Sequence, residues 1–118
     1  MISAAEVTAI VGFTVTSVDE RFRCKFPDAK NGWISLELIE ASSRGAKQIC
    51  EYAKDKRTVV PGVGDSTSYF GSTVCVKLGD VAIIVDGANI GERSDQLRKS
   101  GIDNVFVQIG KTVASRVP

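Results

Sequence analysis

The sequence predicts an α+β domain: an antiparallel sheet of about six strands with helices on one face, in the order α-β-β-β-α-β-β-β-α. Three observations predict it. Segments of strand period are joined by hairpin-sized turn signals, at Asn31-Gly32 and Gly79-Asp80. Three other segments carry apolar residues at helical spacing. No long strand–helix–strand alternation appears, which is the pattern a parallel sheet would need. A chain of 118 residues fits one domain spanning 1–118, with no linker or low-complexity stretch.

Ser3-Ala4-Ala5-Glu6 reads as a capping box, in which the Ser3 hydroxyl and the Glu6 carboxylate each serve the other's backbone N–H. Val7, Ile10 and Val11 then share a helical face, and Gly12 supplies a left-handed cap. Phe13 to Val18 is β-branched and reads as a strand. Arg21 to Phe26 alternates, which puts Phe22, Cys24 and Phe26 on one side. After the turn Pro27 to Gly32, Trp33 to Glu40 returns with Ile34, Leu36 and Leu38 on one face. Ser42 or Ser43 caps a second helix predicted to reach Lys54, with Ala46, Ile49, Cys50 and Ala53 as its stripe.

A loop from Lys56 to Asp65 leads to strands Ser66 to Phe70, Thr73 to Leu78 and Val81 to Val85. Asp86 to Gly101 is polar, with a helical turn near Ser94 to Lys99. The last helix is expected from Ile102 to Arg116. Its stripe is Ile102, Val105, Phe106, Ile109, Val113 and Val117, and Asp103 and Asn104 stand at its favourable N-terminal end.

Composition excludes several classes. The formal charge is +1, without the basic excess that phosphate neutralisation requires, so no nucleic-acid partner is expected. Lys54, Lys56 and Arg57, interrupted by Asp55, read as a solvated helix end. No apolar run reaches the roughly 20 residues of a membrane helix; the longest, Val81 to Val85, is of strand length. The first helix starts almost at Met1, as in a chain from which a signal or lipid anchor upstream has been removed. A missing signal therefore carries little weight for the cytoplasm, which is left open.

Candidate chemistry is sparse. Serine and cysteine nucleophiles are most often served by histidine, and the chain has none. Three cysteines without histidine do not make a four-ligand zinc site, and no metal or cofactor is expected. Cys24 and Cys50 fall on predicted inward faces, so a Cys24–Cys50 disulfide that staples helix to sheet is one reading; buried thiols are the other. Cys75 belongs to the opposite face of its strand.

The stretch from Val81 to Ile90, with Asp86 at the strand end, resembles the first strand and metal-binding aspartate of the NYN and PIN ribonucleases. Only 32 residues follow Asp86, too few for the remaining strands and acids of that group, so a turn aspartate is the preferred reading. Trp33, Tyr69 and Phe70 are expected to cluster where the hairpins meet. Trp33 and Ile84 are out of phase with the core residues of their strands and should point to an open sheet face. Exposed aromatics on such a face suit a protein or lipid partner, so Trp33, Tyr69, Phe70 and Ile84 are the candidate binding residues.

The layout also resembles a group of small exported bacterial domains of unknown function, many of them lipoproteins. The matching residues are Ile2-Ser3-Ala4-Ala5-Glu6-Val7 with Val11-Gly12, then Cys24, then the loop Val60-Pro61-Gly62-Val63-Gly64-Asp65, then the hairpin Lys77-Leu78-Gly79-Asp80 and a C-terminal amphipathic helix. The resemblance implies export to the periplasm or cell surface, a lipid anchor upstream and no catalytic residues. It also implies a cysteine ahead of the first helix as partner for Cys24, which this chain lacks. The expected function is a non-catalytic extracytoplasmic binding module. The alternatives are a small enzyme inhibitor or regulator, and a metal-dependent nuclease using Asp86.

Overall fold

The computed structural model describes residues 2–20, 23–90 and 104–117. Among these residues, seven strands form one sheet in the order β1-β2-β3-β7-β6-β5-β4, every neighbour antiparallel. They are β1 (Val18–Asp19), β2 (Cys24–Pro27), β3 (Trp33–Glu40), β4 (Thr58–Val59), β5 (Ser66–Phe70), β6 (Thr73–Leu78) and β7 (Val81–Asp86). The described helices are α1 (Ala4–Val11), α2 (Arg44–Cys50) and α3 (Val105–Ala114), with short 3₁₀ turns at Lys54–Lys56 and Ala88–Ile90. The α+β class is as expected.

The first helix forms for the reasons its sequence suggests. Both bonds of the capping box are present, and Gly12 adopts φ 84° as the left-handed cap. The Asn31 turn has φ 66°, and the Asp28 carboxylate accepts from the N–H groups of Lys30 and Gly32 at 2.8 and 2.9 Å. The two Gly-Asp motifs turn out to be one contact: the Asp65 carboxylate accepts from the Gly79 N–H at 2.6 Å, tying the Val60–Asp65 loop to the β6–β7 turn.

Several boundaries differ. Most of Phe13 to Val18 is not strand: Val15 makes a single bridge to Asp28, and only Val18 enters the sheet. The predicted loop after Lys56 contains a short edge strand, β4. Arg21, Phe22, the turn near Ser94 to Lys99, and Ile102 and Asp103 lie outside the described residues. Asn104 caps α3, its side-chain oxygen accepting from the N–H groups of Phe106 and Val107. α2 ends at Cys50 rather than Lys54, and Ala53 is in the left-handed region (φ 53°) instead of on the stripe.

The principal correction concerns the helices. α1 and α3 cover one face, where Val7, Phe106, Ile109 and Val113 pack on Phe26, Ile34, Leu36, Val74, Val76, Ile83 and Val85. α2 covers the other, where Ala46 and Cys50 meet Cys75, Ala82 and Ile84. The reason is that β7 is apolar at every position from Val81 to Val85. A strand apolar on both sides needs cover on both sides, and a layer of helices on one face would leave Ala82 and Ile84 in water.

Gly87 lies under the ring of Phe106, which is fully buried. A Cβ at Gly87 would stand 2.2 Å from two ring carbons, so only glycine lets α3 settle. Phe106→Ala should cost about 3–5 kcal/mol, and Gly87→Ala about 1–3 kcal/mol by overpacking. The double variant should lose less than the sum, because removing the ring makes room for the new methyl. Urea unfolding measures all three; additivity would mean the two residues do not touch.

The chain ends are joined by Arg116, whose guanidinium donates to both carboxylate oxygens of Glu6, one at 2.9 Å. That pair, with the Ser3 N–H, lowers the Glu6 pKa from 4.5 to about 2. A depressed carboxylate stabilises the fold above its unfolded value and loses that contribution as pH falls through the folded one. Thermal melts of the wild type should therefore decline more steeply between pH 4.5 and 2 than those of Glu6→Gln. Equal slopes would show that the pair is not formed in solution.

A candidate ligand cleft beside a disulfide-pinned helix

The disulfide joins Cys50 of α2 to Cys75 of β6, with Cα atoms 5.4 Å apart. The Cys24–Cys50 pairing is thereby corrected: Cys24 packs against the α1/α3 core, on the other side of the sheet from Cys50. Cys24 is a free thiol that donates to the Asp19 carboxylate at 3.4 Å. Burial, and then Asp19, push its pKa up, the opposite of what activates a nucleophile.

α2 is a helix of seven residues, about 10 Å long, and it cannot cover the whole face. Beyond its C-terminal end the face continues as a row across the sheet: Lys25 opposite Ser35, Ser35 opposite Asp86, Asp86 opposite Thr73, and Thr73 opposite Phe70. The uncovered part is a cleft of about 350 Å³. Ser35, Thr73, Asp86 and Ile84 line it from the sheet. Gln48, Ile49 and Tyr52 line it from α2 and the turn that follows. Arg23 and Glu37 close one side, and Arg57 and Phe70 the other. The Tyr52 and Phe70 rings meet edge to face, with centroids 5.7 Å apart, and both are partly in solvent.

Arg57 builds the wall. Its Nη1 donates to the carbonyls of Ile49 and Tyr52 at 3.3 and 3.2 Å, taking acceptors that the end of α2 leaves without a helical donor. Its Nε and Nη2 donate to the Ser68 hydroxyl and carbonyl on β5 at 2.7 and 3.2 Å. The clamp draws the chain back toward the sheet to start β4, which accounts for the early end of α2. Desolvation lowers the Arg57 pKa. Arg57 is therefore a half-buried tie and not the solvated charge read from the sequence.

The four candidate binding residues divide. Ile84 and Phe70 line the cleft. Trp33 lies on the same face beyond Ser35, beneath the ammonium of Lys25, which stands 4.6 Å from the ring centre. Tyr69 pairs with Val74 and packs with the α1/α3 core, so it belongs to the opposite face. The expected cluster of Trp33, Tyr69 and Phe70 does not form, since two strands, β7 and β6, lie between β3 and β5 in the sheet and the side chains alternate. The phase assigned to Trp33, Cys75 and Ile84 is correct, but α2 covers Cys75 and Ile84.

Sequence reasoning missed Tyr52, Gln48 and Arg57. Arg57 carried a signal, a cation shortly past a helix end, where it can take the last carbonyls. Asp86 serves a turn: its Oδ1 accepts from the Ala88 N–H at 2.9 Å. Among the described residues no three Cys, Asp or Glu side chains gather where a metal could sit, and no helix is long and apolar enough to cross a membrane. In comparisons with protein-family models, curated proteins and solved structures, nothing matches the chain.

Removing the disulfide by Cys50→Ala with Cys75→Ala should cost about 2–4 kcal/mol in chemical unfolding. Thiol titration of the unfolded, unreduced protein should find Cys24 alone; three reactive thiols would overturn the pairing.

Proposed function

We propose that this domain is a non-catalytic binding module that works outside the cytoplasm, at the periplasmic or cell-surface side of a membrane, and that it binds through the cleft beside α2. The observation that carries the reading is the Cys50–Cys75 bridge, which pins one wall of that cleft to the sheet. Disulfides persist in oxidising compartments and are rare in the cytosol. A wall held by a covalent bond and by four Arg57 hydrogen bonds is preorganised, which limits the ordering cost of binding. The lining is mixed, with apolar Ile49 and Ile84, two aromatic rings and a few polar groups, as in sites that recognise small ligands or a partner's side chain. Its most prominent cation and one oxygen of its Asp86 are already engaged by the protein, which favours recognition over acid–base chemistry. The resemblance to exported lipoprotein-type domains points to the same compartment. An inhibitor or regulator of an enzyme would be a special case of this module.

Thiol trapping in the producing cells tests the compartment. A membrane-permeant alkylating reagent should label Cys24 and spare Cys50 and Cys75 until reductant is added; labelling of all three in untreated cells would refute the extracytoplasmic reading. A fragment screen followed by amide shifts tests the site. Hits should perturb Ser35, Thr73 and Ile84 and be lost from the Cys50→Ala, Cys75→Ala variant, whereas hits confined to other surfaces would refute the cleft.

A further inference from the structure

Resting on the reading of the cleft as the binding site, we propose that its ligand is an organic cation on an aliphatic stem: an alkylammonium or alkylguanidinium group, whether a free amine or a Lys or Arg side chain of a protein partner. The inference comes from asking which lining groups the protein itself has left unused.

The cations are committed. Arg57 donates four hydrogen bonds to carbonyls and a hydroxyl of its own chain, and Arg23 is held by the Glu20 carboxylate at 2.8 Å. The acceptors are not. Glu37 has no ion pair or side-chain hydrogen bond among the described residues, and Asp86 spends only Oδ1, on the Ala88 N–H. Ser35 is 6% exposed, lines the cleft, and its hydroxyl has no partner among the described residues. The hydroxyl oxygen still reaches the water of the cleft, so it stands ready to bond a ligand in place of solvent. The register sets Ser35 and Thr73 on either side of Asp86, with Glu37 in the next row along β3. Three oxygen-bearing side chains in a row, with a second carboxylate beside them, make an acceptor-rich end that an ammonium or guanidinium can fill with charge-assisted bonds. An anion there would face two carboxylates.

The rest of the cleft suits the stem. Ile84 and Ile49 give an apolar lining for methylenes, and the Tyr52–Phe70 pair at the mouth offers ring faces to a passing cation. A volume of about 350 Å³ admits one such chain and little more.

Amide-shift titrations test the class, with butylammonium and butylguanidinium as probes and butyrate and butanol as size-matched controls. The cations should shift Ser35, Thr73, Ile84 and Asp86 saturably, and the controls should not. Asp86→Asn keeps the oxygen that accepts from Ala88 and so should fold normally, as should Glu37→Gln, which keeps the size of a half-buried side chain and breaks no ion pair among the described residues. Each should weaken cation binding about tenfold at unchanged melting temperature. A capped Gly-Lys-Gly peptide that binds more tightly than butylammonium supports a protein side chain as the source, and weaker binding supports a free amine. Butyrate or butanol binding as well as butylammonium, or unweakened binding by both variants, overturns the cation inference while leaving the cleft as a site. If no probe moves those amides, the binding-site reading falls with it.

Discussion

The structure depends on one constraint, the two-sided apolar character of the β6–β7 hairpin. Val74, Val76, Ile83 and Val85 point one way, and Cys75, Ala82 and Ile84 the other, and all are buried. No antiparallel sheet with one wet face can hold such a pair. The larger set is met by α1 and α3, the smaller by α2. β3 shares the need in part: Ile34 and Leu36 face α3, while Ile39 packs with the α2 cluster. The outermost strands β1 and β4 have two residues each, short enough to offer little template for edge-to-edge pairing.

The cleft follows from the same constraint. Among the described residues, the stretch between β3 and β4 supplies the cover of the α2 face, and it spends seven residues of helix there. Those residues reach the apolar rows of β6 and β7 and stop. The next row, Ser35–Asp86–Thr73, is polar and can face water, so nothing requires it to be covered. Arg57 then fixes where cover ends, because it holds the carbonyls of Ile49 and Tyr52 and the β5 residue Ser68 in one grip. The site is thus the unroofed margin of a core, bounded by groups whose first task is structural.

Much of the fold was legible. The capping box, the left-handed Gly12, the bounds of β3, β5 and β6, and the Gly79-Asp80 turn rest on local chemistry and were read correctly. What was misread needed information from across the sheet. The side of α2 was set by residues of β6 and β7, although the uninterrupted apolar run Val81 to Val85 already carried the hint that both faces would be covered. The disulfide followed from that error. Once α2 is placed on the side of Cys75, the pairing with Cys50 is the natural one, and Cys24 is on the wrong side of the sheet. Of the candidate site, Ile84 and Phe70 were legible from strand phase, and Tyr69 fell out because it neighbours Phe70 and must point the opposite way. Arg57 and Tyr52 were not read, because a side chain that bridges a helix end to a strand eleven residues later leaves no periodic trace.

The two faces divide the labour of the molecule. The α1/α3 side holds the large side chains, Phe26, Ile34, Leu36, Phe106 and Ile109 among them, and with them most of the apolar area that stabilises the fold. The α2 side is a satellite built from small residues, Ala46, Ala82 and two half-cystines, with Ile84 as its one large buried member. So little apolar surface would hold a seven-residue helix weakly, since helices of this length have marginal stability of their own. The disulfide supplies what the packing lacks, and the small side chains let α2 come close enough for Cys50 and Cys75 to bond, Cα to Cα 5.4 Å. Side chains around the cleft can therefore change with little effect on the main core, which leaves the margin of the sheet free to be shaped for a ligand while the opposite face keeps the domain folded.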